Sequence, residues 1–103
     1  MTYKVVITEK SRQDIVNLEQ YISETLHEPV FAMNTVNEIF KQIFTLKELP
    51  KRNSVIDEIG LINKEIRKVL AGNFIIFYIV VDERHTVVIL RVIYKKRAWE
   101  KLL

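Results

Sequence analysis

The sequence predicts an α+β domain: one strand and a helical hairpin, then a three-stranded antiparallel meander, with the helices on one face of the sheet. Three observations predict it. Apolar residues recur at intervals of three and four through residues 15–46, the pattern changes to long β-branched runs after residue 65, and two short polar reversals, Gly72-Asn73 and residues 82–85, separate those runs.

Each element follows in order. Residues 3–8 (Tyr-Lys-Val-Val-Ile-Thr) are β-branched and aromatic and read as strand one. Ser11, with Asp14 three residues on, is placed as the N-cap of a helix whose apolar stripe is Ile15, Leu18, Tyr21, Ile22 and Leu26. Pro29 cannot continue that helix but is tolerated in the first turn of another, whose stripe is Ala32, Val36, Ile39, Phe40, Ile43 and Leu46. The two helices, of about 17 to 19 residues each, form a hairpin ending near Pro50. Residues 55–60 are left unassigned. Residues 66–71 form a strand, Gly72-Asn73 a two-residue turn, residues 74–81 a central strand and residues 86–94 the last one.

With 103 residues, no Cys, two Gly, two Pro and 49% hydrophobic positions, the chain has the composition of one folded domain, residues 1–103, and not of a disordered or fibrous segment. The absence of Cys removes disulfides, thiolate nucleophiles and Cys-ligated metals, which suits a cytoplasmic protein. The longest apolar run, residues 74–81, is too short to span a bilayer, and the first ten residues lack the core of a signal peptide. Neither His27 nor His85 has a second ligand at metal spacing, and there is no Gly-rich phosphate loop, so no metal or cofactor is expected.

The short turns set an expected register. If Gly72-Asn73 and Glu83-Arg84 are the two tips, Arg67 lies opposite Tyr78 and Tyr78 opposite Ile89, while Val69 faces Ile76 and Ile76 faces Arg91. One face then collects Arg67, Val69, Ile76, Tyr78, Ile89, Arg91, Ile93 and Lys95. The other collects Ile66, Leu70, Ile75, Phe77, Ile79, Val81, Val88, Leu90 and Val92, is almost wholly apolar, and is expected beneath the helices. Two guanidiniums and a phenol on the first face suggest a working surface open to an anionic partner. The competing account is structural, with Arg91 in a packed ion pair with Glu58 or Glu65.

Charge is concentrated at the carboxyl end. Residues 91–103 contain Arg91, Lys95, Lys96, Arg97 and Lys101 against Glu100, while the rest of the chain is close to balanced. An anionic partner would be met there, unless the cluster only keeps the tail soluble.

The run Val87-Val88-Ile89-Leu90-Arg91-Val92-Ile93-Tyr94-Lys95-Lys96-Arg97-Ala98-Trp99, with Asn73-Phe74-Ile75-Ile76-Phe77-Tyr78 and Ile66-Arg67-Lys68 before it, resembles the RelE/ParE family of bacterial toxins over nearly the whole chain. The resemblance implies the same fold, and the toxic half of a type II toxin–antitoxin pair, held in a hetero-oligomer by a cognate antitoxin. It also implies one of two targets. A RelE-like member cuts mRNA on the ribosome; Arg67 and Arg91 would then clamp the phosphate, with Tyr94 or Lys95 handling protons. A ParE-like member inhibits DNA gyrase without catalysis, through its helical hairpin or its basic tail. This chain has Tyr94 where many of the family's nucleases have a histidine, and its hairpin is long, so the ParE-like reading leads. Tyr78, Lys96, Arg97 and Trp99 are the residues expected to contact antitoxin or target, with Leu102 and Leu103 as a further apolar patch.

Overall fold

The computed structural model describes residues 2–56, 65–99 and 102–103. Lys4–Ile7 form β1, and the first helix is capped by Thr8, not Ser11. The Thr8 side-chain oxygen accepts from the Ser11 backbone N–H at 3.1 Å, and its hydroxyl donates to the Ile89 carbonyl at 2.7 Å. Ser11 lies in the first turn of α1 (Glu9–Gln20), fully buried, its hydroxyl donating to the Thr8 carbonyl at 2.9 Å. The cap moves three residues upstream because Thr8 can satisfy the helix start and the neighbouring strand together.

α1 buries Ile15 and Leu18, then runs into a π-helical turn, Tyr21–Thr25, closed by the Leu26 N–H on the Tyr21 carbonyl at 3.0 Å. The second helix, α2 (Pro29–Thr45), has Pro in its first turn and buries Ala32, Ile39 and Ile43. Its carboxyl end is closed by Arg52, which donates to the carbonyls of Thr45 at 3.1 Å and Glu48 at 2.6 Å. No helix among the described residues is long and apolar enough to cross a membrane.

The meander is β2 (Arg67–Ala71), β3 (Phe74–Val81) and β4 (Thr86–Tyr94), and β1 joins it parallel to β4, giving the order β1-β4-β3-β2. Gly72, at φ +59°, makes the first turn, where an L side chain would be strained. Of the unassigned stretch, Val55 bridges to Arg67 and the Ile56 N–H donates to the Ile66 carbonyl at 2.7 Å; residues 57–60 lie outside the described residues.

The first hairpin has the expected register, with Arg67 opposite Tyr78 and Val69 opposite Ile76. The second keeps it only as far as Tyr78–Ile89. Beyond that point Phe77 pairs with Arg91 and Ile76 with Val92, so Leu90 is the extra residue of a β-bulge. The expected Ile76–Arg91 pair does not form, and Val92 and Ile93 exchange faces.

The helix-covered face is also the reverse of the expectation. Ile76, Tyr78, Val87, Ile89 and Val92 pack with Ile15, Leu18, Ile39 and Ile43 of the helices. Ile66, Ile75, Phe77 and Ile93 face the other way, where Ile56, Trp99, Leu102 and Leu103 cover them. Strand alternation separates two faces but does not say which one the helices take when both are apolar. Here the tail supplies an aromatic lid for one face, and on the other the Tyr78 hydroxyl finds an acceptor in the Pro50 carbonyl of the loop after α2.

Candidate functional site

The proposed working surface of Arg67, Tyr78 and Arg91 does not exist as a surface. Tyr78 is completely buried; its hydroxyl donates to the Pro50 carbonyl at 2.6 Å and accepts from the Asn53 side-chain amide at 3.0 Å. Burial pushes the phenol above the usual tyrosine value. Arg67 turns toward the same loop and donates to the carbonyls of Asn53 at 2.5 Å and Lys51 at 3.2 Å. These two residues hold the chain after α2 against the edge of the sheet.

Arg91 is engaged elsewhere. Its Nε and Nη2 donate to the two carboxylate oxygens of Asp14 at 2.7 and 2.9 Å, and its Nη1 donates to the Leu102 carbonyl at 3.1 Å. Asp14 also accepts from the Val92 backbone N–H at 2.9 Å. The hydrogen bond to Asp14 raises the guanidinium's affinity for its proton. An internal ion pair was the competing account, and it is correct in kind, but the acid is Asp14 and not Glu65; Glu58 lies outside the described residues. The bulge places Arg91 opposite Phe77 in place of Ile76, and from there its guanidinium meets both Asp14 of α1 and the Leu102 carbonyl of the tail.

Trp99 packs inward, its ring 5.1 Å from that of Phe77, with Lys68 Nζ 5.2 Å above it. It is a core residue of the tail-covered face. Tyr94, Lys95, Lys96 and Arg97 remain exposed where β4 ends. The Tyr94 ring stands edge-on to Phe74 at 5.8 Å, and the Lys95 N–H is fixed by the Asn73 carbonyl at 2.9 Å.

What does stand open is a cleft of about 860 Å³ between the hairpin and the end of the sheet where β2 turns into β3. Tyr21, Leu26 and Phe31 line its helical side and Phe74, Tyr94 and Arg97 its sheet side, with the Asp14–Arg91 pair also in its wall. An apolar trough with a cation at its mouth suits a peptide or side-chain cluster with apolar anchors and an acid. Sequence reading took Asp14 for a cap partner and so missed it. The available signal was a carboxylate directly beside the buried stripe of α1, next to Ile15 and four residues before Leu18.

This fold is a small α+β domain in which a helical hairpin and a four-stranded sheet leave an apolar cleft between them. The model of the ParE toxin of type II toxin–antitoxin systems matches residues 5–99, and the chain belongs to that family. Among solved structures it is similar to the chromosomal ParDE toxin–antitoxin system from P. aeruginosa, at 18% identity and TM-score 0.72, covering 90% of this chain and 96% of that one. It is also similar to the RelBE2 toxin–antitoxin complex from Mycobacterium tuberculosis, at 23% identity and TM-score 0.65, covering 91% and 99%. A third similarity is to the intact E. coli RelBE complex, at 17% identity and TM-score 0.62, covering 92% and 99%. At these identities the likeness is one of fold. No curated protein matches the chain.

Proposed function

We propose that this ParE-family toxin arrests growth by binding DNA gyrase in the cytoplasm, without catalysis, and that a cognate antitoxin holds it inactive in a hetero-oligomer. The observation that carries this reading is the internal commitment of the two guanidiniums. Arg67 is spent on loop carbonyls and Arg91 on Asp14, so neither presents the free bidentate fork that phosphate transfer needs. His85 sits in the β3–β4 turn, stacked on Tyr3, at the far end of β4 from Tyr94, and so supplies no acid–base partner there.

The antitoxin's place follows from the cleft. A segment with a few apolar residues and nearby acids would fill the trough and meet Arg97 in its wall, with the exposed Lys95 and Lys96 next along the chain. The complexes among the structural neighbours support a protein partner of this kind.

The test is supercoiling by purified gyrase with free toxin and with toxin plus antitoxin. Inhibition relieved by antitoxin is the expected result; an unchanged rate at saturating toxin removes gyrase as the target. The adjacency of Tyr94 and Arg97 at the cleft wall keeps the RelE-like alternative distinct. That alternative predicts new cuts within translated messages, seen by primer extension.

A further inference from the structure

The hairpin carries a charge pattern of its own. Residues 13–40 contain no Lys or Arg and five acids, Asp14, Glu19, Glu24, Glu28 and Glu38, so all 16 basic residues lie outside this stretch. Asp14 is neutralised by Arg91, and Glu38 accepts from the Gln42 amide at 3.1 Å. Glu19, Glu24 and Glu28 have no ion-pair partner among the described residues, and Glu24 and Glu28 are exposed.

The same end of the hairpin is unusually apolar. Tyr21, Leu26, Val30, Phe31 and Met33, spread over the π-helical turn, the connecting loop and the first turns of α2, are between 48% and 65% exposed. Single exposed apolar residues are ordinary, but five large ones at one hairpin tip form a patch of the kind that partners cover. The π turn contributes by re-aiming Tyr21 and Leu26 relative to a regular helix.

We propose that this tip is the surface that grips the target, and that the target meets it with a basic protein groove having an apolar floor. The inference rests on the gyrase reading and adds to it that the toxin occupies a surface of gyrase that otherwise receives DNA. A protein that holds DNA must line that surface with Lys and Arg, and an acidic arm complements such a lining. The same arm is repelled by RNA or DNA approached directly. Its apolar residues supply the buried centre of the contact and its carboxylates the rim.

Two double variants test this: Glu24→Lys with Glu28→Lys, and Val30→Ser with Met33→Ser. All four residues are exposed and none lines the cleft, and thermal unfolding and co-purification with antitoxin check that each variant remains folded. In the supercoiling assay each variant is expected to need at least ~10-fold more protein for half-inhibition. Wild-type inhibition should weaken with added salt and with excess DNA, and the charge variant should lose the salt dependence. Equal inhibition by wild type and both variants overturns this inference alone. Wild-type inhibition indifferent to excess DNA overturns the assignment to a DNA-receiving surface. Failure of the wild type to inhibit at all overturns the gyrase reading and this inference with it.

Discussion

Asp14 of α1 holds Arg91 of β4 through two hydrogen bonds, 2.7 and 2.9 Å, across 77 residues of sequence, and the same carboxylate takes the Val92 backbone N–H at 2.9 Å. Both side chains are only about one-seventh exposed, at 13% and 14%. The pair fastens the first helix to the strand where its register has slipped, and Arg91 Nη1 extends the connection to the tail through Leu102. An arginine that looked available for a ligand is thereby a structural bolt.

Replacing Asp14 by Ala should leave the guanidinium buried without its acid and cost about 3 kcal/mol, read as a lowered urea midpoint at unchanged slope. The double change Asp14→Leu with Arg91→Met should recover most of that loss. A single-variant loss below about 1 kcal/mol would mean the pair behaves as a solvated surface bridge.

Tyr78→Phe should cost about 1 to 2 kcal/mol, because the Pro50 carbonyl and Asn53 amide lose their partner, while growth arrest per folded molecule stays unchanged. The raised phenol pKa gives the sign with pH. The proton is held more tightly in the folded state, so the contribution is complete below the ordinary tyrosine range and is lost as pH rises through the raised value. In an ultraviolet titration the last phenol should ionise together with unfolding, and in the Phe variant that coincidence should vanish.

Lys51 and Asp82 make the second tie between the loop after α2 and the sheet, at 2.5 Å, with Tyr3 also donating to Asp82 at 3.4 Å. The Lys51 hydrogen bond lowers the Asp82 pKa, and the Asp82 hydrogen bond raises that of Lys51. The tie is therefore complete above the ordinary carboxylate range, is lost as pH falls through the lowered Asp82 value, and is lost again as pH rises through the raised Lys51 value. Carboxyl NMR should find Asp82 titrating at higher pH in Lys51→Met than in the wild type, and added salt should narrow the difference.

Reversing Lys95, Lys96 and Arg97 together to Glu should weaken the antitoxin complex and flatten its dependence on salt, measured by calorimetry at several ionic strengths. Affinity that is unchanged across ionic strength would make the cluster a solubility device only.

The elements were legible because their signals are local. The stripes of α1 and α2, Pro29 at a helix start and Gly72 at a turn each act within a few residues, and the first hairpin has no irregularity to upset its pairing. The family was legible for a related reason, since the resemblance is carried by the contiguous run from Val87 to Trp99 and needs no knowledge of what the side chains touch. The site was not. A bulge at Leu90 leaves no mark that alternation can detect, yet it separates Arg91 from Tyr78 and exchanges the faces of Val92 and Ile93.

Sequence alone determined the order of strands and helices, the turns between them, the contrast between acidic hairpin and basic tail, and membership of a toxin family. Tertiary structure alone decided which side of the sheet the helices cover, which acid meets Arg91, and that Trp99 folds inward over Phe77. The reason is one of range: periodicity and turn chemistry are settled among neighbours, whereas two apolar faces compete for the helices and the tail across the whole chain. That competition is resolved by where a buried hydroxyl and a buried guanidinium find partners.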